Sequence, residues 1–258
     1  MKQLVIAIVA VATLSSGFAE EEKLKFSEMT PEQRKEVRRI NLLKRTGGYL
    51  ERREKDSGKF LVVNAQKRVG NVYTDQLKVI TDIFEVEMQN KAYDKLVGIE
   101  NAKAVLKELG GAMGVFIIDR PEYPTLSIFP ESGYGFINVA ALAADKAGQA
   151  LLEKRVTREV WRAFAMVGGS TDTEWDPCLL GPVASLRDLD TLKAEAVSPE
   201  PMGKIGKHLP KFGVKPFKKV SYRTACQEGW APQPTNEFQK AIWDQVHELP
   251  KAPLKLEK

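Results

Sequence analysis

The sequence predicts an α+β fold, a few-stranded mixed sheet packed on helices and followed by a helical, loop-rich C-terminal part. Three observations predict it. In the first two thirds, short runs of β-branched and aromatic residues, such as Phe60-Leu61-Val62-Val63 and Val115-Phe116-Ile117-Ile118, alternate with longer segments of helical period. Ten of the 14 prolines fall after residue 176, so only short helices fit there. With 258 residues, 43% apolar and 28% charged, the composition is that of a globular protein and excludes collagenous, low-complexity and wholly disordered chains.

The elements follow in order. Thr30-Pro31-Glu32-Gln33 carries a cap residue, a proline at the first helical position and a glutamine at the third, so a helix starts here and runs to Arg45, where Gly47-Gly48 stops it. Lys59 to Val69 reads as a strand and Gly70-Asn71 as a turn. From Asp75 to Asn90, Leu77, Ile80, Ile83, Phe84 and Met88 recur at helical spacing. Glu100 to Leu109 is a second helix, Val115 to Ile118 a buried strand, and Thr125 to Phe129 and Gly135 to Val139 two more strands around Pro130-Glu131-Ser132-Gly133. Lys146 to Val167 carries the strongest helical pattern, with Leu152, Val156, Val160, Phe164 and Val167 on one face and Gly168-Gly169 as the stop. Beyond it lie short helices at about Leu186 to Ala196, Met202 to Phe212 and Asn236 to Glu248.

The N-terminus predicts export. A short basic start, an apolar run from Leu4 to Leu14, and small Gly17 and Ala19 before Glu20-Glu21-Glu22 describe a signal peptide over residues 1–19, cleaved after Ala19. The expected product, 20–258, is one secreted or periplasmic domain with an α/β part over about 27–170 and a helical part over about 171–250. The apolar run is too short to span a bilayer. The net charge of +5 is mild and no basic block signals a nucleic-acid arm; the cations between Lys35 and Arg53 are interleaved with Glu36, Glu51 and others and read as a solvated helical face. Cys178 and Cys226 are the only thiols, and an exported chain favours pairing them, closing a loop of about 49 residues worth roughly 4 kcal/mol. Inert thiols and a nucleophilic cysteine are the alternatives, the last needing a nearby base that neither neighbourhood offers.

Only two histidines are present, His208 and His247, so no HExxH pair or histidine triad can be built. Both sit near predicted helix C-termini, where a cation suits the dipole. Asp188 and Asp190 read as acids near a helix start. No phosphate-binding glycine loop and no Gly-x-Ser-x-Gly occurs. Asp172-Thr173-Glu174-Trp175-Asp176 begins like a calcium loop, but Pro177 stands where that loop needs glycine and Val183 where it needs glutamate.

One constellation has a family behind it. Gly135-Phe136-Ile137-Asn138-Val139, read as an edge strand, precedes the helix Arg155-Val156-Thr157-Arg158-Glu159-Val160-Trp161-Arg162-Ala163-Phe164-Ala165-Met166-Val167-Gly168-Gly169, then Asp176-Pro177-Cys178-Leu179-Leu180 and Ser185-Leu186-Arg187-Asp188-Leu189-Asp190. Over roughly 60 residues this order resembles the zinc-peptidase core of the archaemetzincins, where a strand, a helix ending in HExxHxxGxxH, a Met-turn and a Ser-Leu-x-x-x-Asp segment follow one another. The resemblance implies a zincin-like core without its zinc ligands. In one register Arg162, Ala163, Met166 and Asp172 stand at the first ligand, the catalytic glutamate, and the second and third ligands; in the other Glu159 keeps the glutamate position while Arg158, Arg162 and Gly168 replace the ligands. Leu180 stands at the Met-turn methionine.

A zincin uses the metal to acidify water and polarise the scissile carbonyl. Together with the leader, the resemblance therefore implies an exported pseudo-metallopeptidase with no catalytic residue and no cofactor, holding a peptide or protein ligand against an edge strand, with Glu159, Trp161, Arg162, Met166 and Asp172 lining the relic cleft. Two plainer expectations stand beside it: an i, i+3 ion pair between Glu159 and Arg162 on an exposed helix face, and Trp161 as a packing residue. The alternative function is a metal-independent hydrolase acting on peptide or glycan through carboxylates such as Glu159, Asp172 or Glu174.

Overall fold

A computed structural model describes residues 29–67, 69–171, 178–193 and 197–248. In chain order its first elements are α1 (Pro31–Thr46), β1 (Tyr49–Arg52), β2 (Phe60–Ala65), α2 (Thr74–Phe84), β3 (Met88–Tyr93), α3 (Ala102–Glu108) and β4 (Met113–Ile118). There follow β5 (Leu126–Phe129), β6 (Tyr134–Asn138), α4 (Val139–Leu142), α5 (Gln149–Val167), α6 (Leu186–Thr191), α7 (Pro199–His208), β7 (Lys218–Ser221), α8 (Tyr222–Gln227) and α9 (Glu237–Glu248). The chain divides into two compact units, α1 with α8 and α9, and Tyr49–Val220.

In the first unit the expected capping box forms: the Thr30 side chain accepts from the Gln33 N–H and the Gln33 side chain accepts from the Thr30 N–H. Two otherwise orphaned donors at the start of α1 are thereby satisfied. The helix stops at Gly47, which adopts φ 69° and returns its N–H to Leu43. Here glycine is needed twice over, because a Cβ would also lie 2.9 Å from Cβ of Tyr222. Tyr222 begins α8, is fully buried, and donates its hydroxyl to the Pro232 carbonyl.

The second unit holds a five-stranded sheet in the order β3-β2-β4-β6-β5, and β1 and β7 pair as a separate two-stranded ribbon. β3, β2, β4 and β6 are parallel, and β5 runs antiparallel to β6. Because the connecting helices cover both faces, the central strands are apolar on both sides, as β2 and β4 show by complete burial. Phe60, Val62, Val115 and Ile117 pack on one face with α2 and α5, while Leu61, Val63, Phe116 and Ile118 pack on the other with Val105 and Leu106 of α3. The fold class is thus the α+β arrangement expected, a mixed sheet between helices.

Two expectations are corrected. The helix expected over Asp75–Asn90 ends at Phe84, because Glu85 enters the left-handed region at φ 54° and closes the helix by donating its N–H to Thr81. The polar run Met88–Tyr93 then becomes an edge strand beside β2; its pattern misled because an edge strand needs little burial. The strand read as an edge, Gly135–Val139, is interior: β6 lies between β4 and β5, and β5 is the edge. Backbone pairing on both sides explains why Tyr134–Asn138 is buried throughout.

The turn after α1 provides a test of the first unit. Gly48 also has positive φ, 89°, but a Cβ there meets nothing nearer than 3.9 Å. Gly48→Ala should cost about 1 kcal/mol for backbone strain alone, and Gly47→Ala about 3 kcal/mol because the clash with Tyr222 adds to it. Urea unfolding of the two variants against the parent measures the difference.

Candidate functional site

The site is built on α5. Its apolar stripe, Val156, Val160, Ala163, Phe164 and Val167, is fully buried in the core beneath the sheet. Trp161 belongs to that side: it is 2% exposed, its ring meets Phe84 and Phe164 edge-on, and its indole N–H donates to Gln76. Met166 is half-buried and packs against the same core. The opposite face bears Arg155, Arg158, Glu159 and Arg162, at i, i+3, i+4 and i+7 and hence on one stripe. Arg155, Glu159 and Arg162 are as buried as the apolar face, at 1%, 2% and 3% exposure.

A buried guanidinium remains charged, so its donors must find acceptors. Arg155 uses every N–H it has: Nε and Nη2 bind the Asp190 carboxylate at 2.8 and 2.6 Å, Nη1 and Nη2 bind Asp145 at 2.8 and 2.7 Å, and Nη1 also reaches the Leu142 carbonyl at 2.7 Å. Arg158 donates to the carbonyls of Leu189, Asp190 and Leu192. Arg162 donates from Nη1 to the carbonyls of Leu179 and Gly181, at 2.8 and 2.9 Å, and its Nε lies 3.5 Å from Oε1 of Glu159. Arg158 and Arg162 thus tie the backbone of 179–192 to α5, and Arg155 holds the same segment through the Asp190 carboxylate. The Glu159–Arg162 pair exists as expected, but it is buried and not on an exposed face, because that segment covers it.

Further anchors shape the same region. Ser185 caps α6 by accepting from the Asp188 N–H, and Asp188 accepts in return from the Ser185 hydroxyl, as befits an acid near a helix start. Asp190 turns back to Arg155 instead. The Arg155 guanidinium holds both Asp190 and Asp145 below the usual carboxylate range. His208 ends α7 as expected; it is buried against Gly169, where a Cβ would come within 2.7 Å of the ring, and its Nε2 is 3.3 Å from the Pro130 carbonyl.

Between these elements lies a recess of about 300 Å³. Thr125 just before β5, Ala141 of α4, Ala144 just after it, Glu159, and Val183 to Leu186 with Leu189 form its walls. Of the sequence-expected cleft residues, Glu159 lines it; Arg162 stands behind Glu159, Trp161 and Met166 are in the core, and Asp172 lies outside the described residues, as does Glu174. Glu159 is the one carboxylate among the described lining residues. The wall from Val183 to Leu189 is the segment that the arginines hold, a role the sequence left unread because its partners are backbone carbonyls.

Beside the recess runs the outer edge of β5, which pairs with no further strand among the described residues. The Asn138 N–H donates to the Thr125 carbonyl, and in an antiparallel pair this fixes the alternation: Ser127 and Phe129 face β6, and the N–H and C=O of Leu126 and Ile128 point away from the sheet.

Among the described residues the donor set does not fit zinc. At the positions that the resemblance assigns to the metal site stand Arg158, Arg162 and Met166 of α5 beside the Glu159 carboxylate, with Leu180 at the Met-turn position, and a buried guanidinium repels a divalent cation. Among the described residues no group of three or more His, Cys, Asp or Glu side chains is placed to hold a metal. The expected disulfide is also corrected: Cys178 and Cys226 are free buried thiols, each packed within its own unit. The Cys178 Sγ accepts from the N–H groups of Leu180 and Ser198, and burial pushes the Cys226 thiol up, away from reactivity.

No protein-family profile matches the sequence, and no curated protein matches it. Among solved structures, archaemetzincin from Methanopyrus kandleri is similar at 14% identity and TM-score 0.48, over 61% of this chain and 98% of that one. A zinc-dependent peptidase from Methanocorpusculum labreanum is similar at 9% identity and TM-score 0.43, over 57% and 99% of the two chains. Archaemetzincin from Archaeoglobus fulgidus, complexed with malonate, is similar at 15% identity and TM-score 0.40, over 56% and 99%.

Removing the Arg155 guanidinium tests these anchors. Arg155→Met should destabilise the protein by about 2 kcal/mol, less than the loss of one partner from a fully buried pair, because Asp145 and Asp190 reach water. Since both carboxyls are depressed in the folded state, their contribution is present above the usual carboxylate range and disappears as the pH falls through their lowered values. Thermal unfolding between pH 7 and about pH 3 should show a shallower acid loss in Arg155→Met than in the parent.

Proposed function

We propose that this chain is an exported, catalytically inactive zincin-like protein that binds an extended peptide along the free edge of β5, with one peptide side chain seated in the recess beside Glu159. The observation that carries the reading is Arg162. Its guanidinium is buried on α5, faces Glu159, and is occupied by the carbonyls of Leu179 and Gly181, at a position where either register of the family resemblance calls for a zinc ligand. Without the metal no water is acidified and no carbonyl is polarised, but backbone pairing to a strand edge needs neither. Leu126 and Ile128 supply the outward donors and acceptors, and the recess of small and apolar side chains supplies the side-chain selection.

Metal analysis of protein purified without chelator should find far less than one zinc per chain, and incubation with casein or a peptide library, with and without added zinc, should give no cleavage. Stoichiometric zinc with proteolysis would overturn the reading. Binding is read separately by titrating the same peptide library. Ala184 is exposed at the recess, so Ala184→Trp should fill it and weaken peptide binding by about tenfold while leaving the unfolding curve unchanged.

Export has its own measurement. The mature N-terminus of protein recovered from the medium or the cell envelope should be Glu20, and Ala19→Leu should leave the leader attached. Recovery of the full-length chain in the cytoplasm would refute it.

A further inference from the structure

The cations of α1 are not spread evenly around the helix. Lys35, Arg38, Leu42 and Arg45 follow one another at i, i+3, i+7 and i+10 and are all exposed, forming the outermost stripe. Arg34, Val37, Ile40 and Leu43, spaced by three, form the half-buried stripe that faces the body of the unit, and Thr46 alone is buried. Of the two carboxylates on the helix, Glu36 is bound to Arg39 at 2.6 Å and Glu32 stands in the first turn. At the far end Arg223 of α8 donates to the Arg45 carbonyl, which sets a further cation against this end of the stripe. Leu42, 39% exposed, sits in its middle.

We propose that this stripe docks the protein on an anionic phospholipid bilayer. Six cations against two carboxylates give α1 a net charge of +4, complementary to a surface of phosphate-bearing headgroups. Shape decides among anionic partners. The stripe lies on the convex back of a helix, which meets a plane and encloses nothing, whereas an acidic peptide needs a groove to hold it. Leu42 distinguishes a bilayer from a nucleic acid: an apolar side chain amid cations enters the headgroup layer at a gain, while among the phosphates of a duplex it contributes nothing. The contact is electrostatic in the main, because the larger apolar stripe of α1 already faces its own unit.

Sedimentation of the purified chain with unilamellar vesicles tests this, using phosphatidylcholine alone and phosphatidylcholine with about 30% phosphatidylglycerol at about 50 mM salt. The protein should partition onto the anionic vesicles at least about tenfold more strongly than onto neutral ones, and lose that preference when salt is raised to about 500 mM. The triple variant Lys35→Gln, Arg38→Gln, Arg45→Gln should lose about tenfold in partition, and Leu42→Ser about threefold, with helical circular dichroism unchanged because all four positions are solvated. Equal binding to neutral vesicles, unchanged binding by the triple variant, or displacement from the vesicles by a short DNA duplex would each overturn the proposal. The anionic preference is read as a difference between two vesicle types, so any affinity of the apolar residues 4–14 for lipid cancels.

Discussion

The second unit depends on buried guanidinium groups that cannot shed their charge. A carboxylate or an amine taken out of water can neutralise itself by shifting its pKa, but arginine has no such escape at accessible pH. Its burial is tolerable only where acceptors converge on the planar fork. Arg155, with two carboxylates and a carbonyl around its donors, meets the condition in full, and Arg158 and Arg162 direct their forks at backbone carbonyls of 179–192. The dependence is mutual. Arg155 and Arg162 are buried because that segment covers them, and the segment holds its course because its carbonyls are taken up by Arg158 and Arg162.

The recess follows from this arrangement. One wall is the arginine-held segment, another is the short α4, and α5 itself supplies Glu159. The last boundary, at Thr125, is fixed independently: the Asn138 amide accepts from the Arg120 N–H and donates to the carbonyls of Arg120 and Tyr123, which pins the chain as it enters β5. A side-chain amide at the end of one strand thus sets where the neighbouring edge strand begins. The site therefore lies between a rigid helix and a strand edge, and both borders are determined by polar side chains satisfying backbone groups.

Much of the fold is legible in the sequence because local chemistry dictates it. The Thr30 and Gln33 box, Pro31, and the glycine pairs after α1 and α5 work through their immediate neighbours, and the buried strands declare themselves through β-branched runs. What fails to read is what depends on distant partners. Met88–Tyr93 is a strand only because β2 offers it an edge, and Gly135–Val139 reads as an edge strand until β5 is known to pair outside it. Residues 155–162 read as a helix with an ion pair, but nothing local says that the polar face is buried, since the covering segment begins sixteen residues beyond Arg162. Trp161 stands beside Arg162 in sequence but about 100° around the helix from it, where its ring packs into the core, which is why adjacency misassigned it to the cleft.

The contrast between α1 and α5 shows what decides the fate of a basic helix. Both carry cations at three- and four-residue spacing, and both interleave glutamate. In α5 the residues between the charges include Val156, Val160, Trp161, Ala163 and Phe164, so one face is held in the core and the charged face must follow it against whatever packs next. In α1 the intervening apolar residues are Val37, Ile40, Leu42 and Leu43, too few to draw the helix inward, and every cation but the half-buried Arg34 stays exposed. A charge that is dragged into the interior is satisfied by carbonyls and becomes architecture. A charge left outside keeps its field, and its meaning then lies in what it meets in solution.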